Sequence, residues 1–221
     1  MLLENFRLIN EGFHADSVRP EQMDSLWANG WRHFGTYFFR YNVGFMHDEL
    51  RFVAPLRIRL ANFGLSKSQR RVLRRNEDLE VVIGPAAIDP ASEQLFHRHK
   101  TRFDHGVPES IYDFLSNEPA ETPCEAKEMR VFGDGRLLAV SYFDIGGEST
   151  SGVYGTFEPE AAGRGLGIFT MLKEIEYSIE TGRKFYYQGY CYEGASFYDY
   201  KKRFRGTEAF DWGETWKPFG V

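Results

Sequence analysis

Cysteine is scarce: Cys124 and Cys191 are the only two in 221 residues, and they form no spaced ligand cluster. That excludes a disulfide-stapled scaffold and reads both thiols as reduced packing residues. Long apolar runs are also missing, and none approaches the roughly 20 residues a helix needs to cross a bilayer. Met1-Leu2-Leu3-Glu4-Asn5 has neither basic leader nor apolar signal core, so the expectation is an unsecreted, cytoplasmic chain without a membrane partner. Internal repeats and low-complexity linkers are absent. Positive charge is in deficit: 27 Lys and Arg against 32 Asp and Glu give a net charge of -5. A generally basic nucleic-acid wrapper is excluded, but a local basic face is not.

What is present favours a folded core, with 42% hydrophobic and 16% aromatic residues in a chain long enough for one large or two small domains. Residues 1–30 read as short helical pieces, and 36–41 and 52–60 as aromatic and β-branched strands. Ser66 is a candidate N-cap for a helix reaching about Arg75, and 79–83 is a short strand stopped by Gly84-Pro85. Asp89-Pro90 opens a helix that carries Leu95, Phe96, His99 and Phe103 inward, and 109–115 reads as a further short helix. Gly133-Asp134-Gly135 between 128–132 and 136–145 is a hairpin signal. A strand at 151–157, a glycine-rich turn, an amphipathic helix and a strand at 184–190 follow. In that helix Ile168, Leu172, Ile175 and Ile179 share one face. The order predicts an α+β layout with a helix laid on a sheet.

Two features suit anions. In the turn Ala162-Gly163-Arg164-Gly165-Leu166-Gly167, the glycines let backbone N–H groups at a helix start approach a phosphate, and Arg164 adds charge. The alternative is a plain tight turn. The turn resembles the pyrophosphate loop of the N-acetyltransferase (GNAT) superfamily, except that Ala162 stands where that loop has Gln or Arg. In "SKSQRRVLRRNEDL", helical spacing gathers Lys67, Arg70, Arg71, Arg74 and Arg75 within roughly 140° of arc, opposite Val72 and Leu73. The bland alternative is a solvated charged face; the other is a grip on a phosphate backbone.

The ordered segments resemble a family. Gly30-Trp31-Arg32-His33-Phe34-Gly35, Tyr37, Arg40, Pro55–Leu60 and the basic helix are similar to the N-terminal part of arginyl-tRNA–protein transferases and their bacterial leucyl-transferring relatives. "GRLLAVSYFDI" (135–145), "SGVYGTFEPE" (151–160), "GLGIFTMLKEIEYSIETGRKFYYQGY" (165–190) and "YKKRFRGTE" (200–208) resemble the same family's second part. The resemblance implies a GNAT-like mixed sheet flanked by helices, with a smaller N-terminal subdomain at 1–63 and a transferase domain at 64–221. It also implies an enzyme that moves Arg or Leu from tRNA to the α-amino group of proteins beginning with Asp or Glu, marking them for degradation. No cofactor beyond the aminoacyl-tRNA co-substrate follows, and acetyl-CoA enters only under the alternative of an ordinary GNAT N-acyltransferase. A non-catalytic tRNA- or N-terminus-binding relative is the other alternative. The family carries paired cysteines near the N-terminus and again before the segment matching Pro55–Leu60. Here that place reads Arg51-Phe52-Val53-Ala54, and no cysteine occurs in residues 1–60. No metal is therefore expected, and His14, His33 and His47 read as surface or packing residues. Gly206 stands where the family tends to have Pro.

Amine attack on an aminoacyl ester needs a neutral nucleophile and positioning more than a covalent intermediate, and no Ser-His-Asp pattern is present. Candidate catalytic residues are Asp144, Tyr187, Gln188 and Glu193. Asp144 is placed to hold or deprotonate the incoming ammonium, unless it simply shapes the turn before Gly146-Gly147. In "FYYQGYCYE", alternation sets Tyr186, Tyr190 and Tyr192 on one face and Tyr187 on the other, one face core and the other free to stack on a terminal adenine. Lys201, Lys202, Arg203 and Arg205, with Tyr198, Tyr200 and Phe204 between them, form a second basic cluster for phosphate or an acidic N-terminal side chain; a solvated segment is its alternative. Binding candidates are thus Lys67, Arg70, Arg71, Arg74, Arg75, Gly163, Arg164, Gly165, Gly167, Tyr190, Lys201 and Arg205.

Overall fold

The computed structural model describes residues 7–46, 49–104 and 106–219; of the features above, Met1–Asn5 and His47 lie outside the described residues. The first elements are β1 (Asn10–His14), α1 (Pro20–Ala28), β2 (Arg32–Phe34), β3 (Tyr37–Tyr41), β4 (Val43–Met46) and β5 (Glu49–Arg59). Then come α2 (Lys67–Arg75), β6 (Glu80–Pro85), α3 (Pro90–Lys100), β7 (Ala126–Gly133) and β8 (Arg136–Ile145). β9 (Ser149–Phe157), α4 (Leu166–Glu180), β10 (Phe185–Tyr192), β11 (Thr207–Phe210) and β12 (Trp216–Pro218) complete the order.

Two sheets result. A small one runs β1-β3-β2, and a large one runs β12-β11-β5-β10-β9-β8-β7-β6, with β4 added beside the outer half of β5. The α+β class with helices laid on a mixed sheet is as the sequence order predicts. β5, which precedes residue 64, is seated inside the large sheet between β10 and β11. Among described strands the only parallel pair is β9 with β10, because α4 carries the chain back across the sheet between them. No helix among the described residues is long and apolar enough to cross a membrane.

Local chemistry explains most elements. Ser66 caps α2 by accepting from Gln69 N–H while the Gln69 side chain returns to Ser66 N–H. Asp134 and Gly135 both have positive φ, as a tight hairpin turn requires. α4 buries Leu166, Phe169, Leu172 and Ile175 against the sheet. Ile179, expected on that face, is 46% exposed. In its last turn α4 points Ser178 inward instead, where the hydroxyl meets Thr150 Oγ1 at 2.6 Å.

The expected helical reading of residues 10–14 is wrong: they form β1, zipped to β3 from Asn10↔Tyr41 to His14↔Tyr37, with Phe13 stacked on Phe38. A strand partner distant in sequence overrides local preference there. Only Ile111–Asp113 of the expected helix at 109–115 is helical, as a single 3-10 turn.

Candidate active site

β9 and β10 are hydrogen-bonded neighbours only over Phe185↔Ser149, Tyr186↔Thr150 and Tyr187↔Ser151. Beyond that, β9 follows β8 and β10 follows β5, so the two strands part. A β-bulge between Tyr187 and Gly189, with Gly189 at φ +88, marks the point of parting. A fork of this kind leaves backbone groups without ladder partners, and polar side chains must reach them.

Four elements supply polar side chains to the fork, and two of these reach its backbone carbonyls. From β2, the buried Arg32 guanidinium donates to Ser151 Oγ and the Gly152 carbonyl. From the 3-10 segment Phe197–Arg203, the Lys201 ammonium lies 3.5 Å from the Tyr190 carbonyl, over Gly189. From α4, buried Glu174 accepts from Tyr186 Oη at 2.5 Å. Gly152 lets that pair approach, since a Cβ there would fall 2.7 Å from Tyr186 Oη. On β10 itself, Gln188 is buried with both amide atoms unpartnered among the described residues.

Burial sets the electrostatics. It pulls the Lys201 ammonium down to about 8, with neighbouring Arg32 adding to the effect. It pushes the Glu174 carboxyl up to about 7, against the opposing hydrogen bond from Tyr186. One amine and one carboxyl in the same fork thus titrate near neutrality, the condition for acid–base work.

The sequence candidates distribute unevenly. Gln188 and Lys201 lie in the fork. Asp144 is buried, with His33 Nε2 2.8 Å from its carboxylate. Tyr187 is packed between Trp27 and Trp216, and its hydroxyl accepts from Arg57 at 3.5 Å. Glu193 is exposed just past β10, and Arg205 is exposed beside Gly64. Tyr190 does not share a side with Tyr186. Its hydroxyl donates to the Gly30 carbonyl at 2.7 Å and its ring meets Tyr41, because the bulge shifts the alternation by one residue. Cys124 and Cys191 are buried, which pushes both thiols up and leaves neither an activated nucleophile.

The two anion features meet. Lys67, Arg70, Arg71, Arg74 and Arg75 are all exposed, while Val72 and Leu73 pack inward. Arg75 donates to the Gly163 carbonyl, and Asn76 Nδ2 bridges the Val72 and Arg164 carbonyls at 2.9 and 3.0 Å. Gly165, at φ +71, starts α4 against Val72, and Gly167 lies beside Phe157. Arg164 pairs with Asp78 through two 2.9 Å hydrogen bonds.

Sequence reasoning missed Arg32, Glu174 and the Tyr186 hydroxyl as a set. A signal existed for Glu174: Thr170, Glu174 and Ser178 recur every four residues beside the apolar stripe of α4, and all three are buried.

Residues 92–211 match the family described as "Arginine-tRNA-protein transferase, C terminus". An aspartate/glutamate leucyltransferase of Stenotrophomonas maltophilia (strain R551-3) is 39% identical over 175 residues, covering 74% of this chain and 68% of that protein. The chain belongs to this family. The corresponding protein of Xanthomonas euvesicatoria pv. vesicatoria is 35% identical over 177 residues, covering 76% and 69%. Two solved structures share the fold: L-PGS from Bacillus licheniformis (TM-score 0.51, 13% identity, 85% of this chain, 55% of that one) and FemX (TM-score 0.50, 12% identity, 86% and 65%). The mixed sheet with its flanking helices is GNAT-like. A cysteine-held cluster of the family type does not fit these residues: at its second place Val53 and Ala54 pair with Tyr192 and Cys191 inside the sheet, and no cysteine precedes residue 61.

Proposed function

We propose that this aminoacyl-tRNA–protein transferase joins leucine, carried as an ester on the tRNA 3′ end, to the α-amino group of a protein beginning with Asp or Glu. The observation that carries the placement of the reaction is the β9/β10 fork, where a buried unpartnered amide lies with an amine and a carboxyl that titrate near neutrality. The aminoacyl ester enters the fork, and the α2 face with the glycine turn holds tRNA phosphates outside it.

The substrate α-amine, with a reference pKa of about 7.7–8.0, attacks the ester carbonyl. A C–N bond forms, the carbonyl oxygen becomes an oxyanion, and the Gln188 amide N–H donates to it. The C–O bond to the terminal ribose then breaks. Lys201, which burial brings down to about 8 and so within reach of its neutral form near pH 7, takes the proton from the attacking nitrogen and passes it to the departing ribose oxygen. Arg32 fixes the β9 lip through Ser151 and Gly152. Asp144, buried on His33, acts by positioning β2, which carries Arg32. The reaction belongs in the cytoplasm, where aminoacyl-tRNA is made, and its product is a protein with a new N-terminal residue that marks it for degradation.

The test mixes purified protein with labelled leucyl-tRNA, arginyl-tRNA or acetyl-CoA and peptides starting with Asp, Glu, Ala or Arg. The expected result is label passing from leucyl-tRNA to the Asp and Glu peptides only. Transfer from acetyl-CoA, or tRNA binding with no transfer, overturns the reading.

A further inference from the structure

Three chemically distinct donors converge outside the fork. His33 comes from β2 in the small sheet, Cys124 from the segment before β7, and Asp144 from β8 in the large sheet. Their ligand atoms all lie within 4.8 Å of one another, and all three residues are buried, at 5%, 3% and 3% exposure.

Hydrogen bonding fixes which histidine nitrogen is free. His33 Nδ1 lies 2.9 Å from the Gly35 carbonyl, and a carbonyl only accepts, so Nδ1 carries the proton. In the neutral ring Nε2 then offers a lone pair, yet it faces the Asp144 carboxylate at 2.8 Å. Two lone-pair atoms at that distance need a proton between them, carried by the ring or by the carboxyl, or a metal ion that both ligate. An Nδ1–H held by a backbone carbonyl is also how metal-bound histidines are oriented. The Cys124 sulfur converges on the same carboxylate, hydrogen-bonding to Asp144 as a thiol and able as a thiolate to share an ion with it.

We propose that His33 Nε2, Cys124 Sγ and the Asp144 carboxylate form a divalent-metal site that clamps the small sheet onto the large one. Thiolate and carboxylate supply two negative charges to balance the ion, and a mixed N, S and O set of three favours zinc with a fourth position for a water. Donors around a tetrahedral zinc stand about 3–4 Å apart, so loading asks His33 and Asp144 to part by about half an ångström. The binding step releases the Cys124 thiol proton and leaves its sulfur as the metal ligand. The site's consequence for the fork is positional, because Arg32 adjoins His33 on the three-residue β2. The inference stands independently of the transfer reaction.

Cobalt(II) and zinc(II) added to chelator-stripped full-length protein test it. The expected result is one equivalent bound, an intense near-ultraviolet thiolate-to-cobalt band kept in Cys191→Ser and lost in Cys124→Ser, and a zinc-raised Tm that chelator reverses. Where Cys124→Ser fails to fold, X-ray absorption of the zinc-loaded wild-type protein reads the same site as one sulfur with nitrogen and oxygen neighbours. No thiolate band and no zinc effect on Tm in the wild-type protein overturn the site and leave a buried His33–Asp144 hydrogen bond. A band that depends on Cys191 overturns it as well.

Discussion

A buried amide with no hydrogen-bond partner costs about 1–3 kcal/mol, and Gln188 finds no partner for either amide atom among the described residues. Gln188→Leu keeps the volume and removes that cost, so thermal unfolding is expected to move up by about 2–4 °C per kcal/mol recovered; a lower Tm would show hidden partners. Glu174 makes a prediction of opposite kind. Its folded pKa, about 7, lies above its value of 4.5 in an unfolded chain. Between those pH values the native state holds a proton that the unfolded state has released, so stability falls as pH rises from about 4.5 to 7, by about 3 kcal/mol for a fully buried carboxyl. Glu174→Gln keeps an acceptor for Tyr186 and is expected to flatten that slope. Urea midpoints measured across the same range check it, and an unchanged slope assigns the dependence elsewhere.

At the scale of elements, α2 was legible because its signal is local: a Ser-Gln capping box, charges at helical spacing and two apolar residues on the other side. Its packing on the glycine turn was not legible, since the Arg75–Gly163 and Asn76–Arg164 bonds join residues 88 apart. Replacing Arg70, Arg71, Arg74 and Arg75 with Gln is expected to weaken tRNA binding. The slope of log affinity against log salt should also flatten, by roughly one unit for each phosphate no longer gripped. Binding and slope that match wild type would return the helix to a solvated face. β10 shows the limit of pattern reading. A period-two alternation carried Tyr190 to the wrong side, because one bulge residue shifts everything after it, and a lone Gly189 inside the strand was the sequence's only mark of it. β1 was missed for the same underlying reason, its structure being set by Tyr37–Tyr41 rather than by its own residues.

Across the whole molecule, the layout of hairpin, strand, turn, helix and strand could be read because each boundary has its own turn chemistry. The fork could not, since it is assembled from β2, α4, β10 and the segment 197–203, brought together by a parallel pairing that stops after three residues. The same long-range assembly brings His33 and Asp144, 111 residues apart, to within 2.8 Å. Whether aminoacyl transfer takes place in that fork is decided by single-turnover transfer of leucine from leucyl-tRNA to an Asp-initiated peptide, with Gln188→Leu set against wild type. The expected rate for the variant is about 10²–10³-fold lower, with tRNA affinity unchanged. A wild-type rate from a folded variant would place the reaction elsewhere.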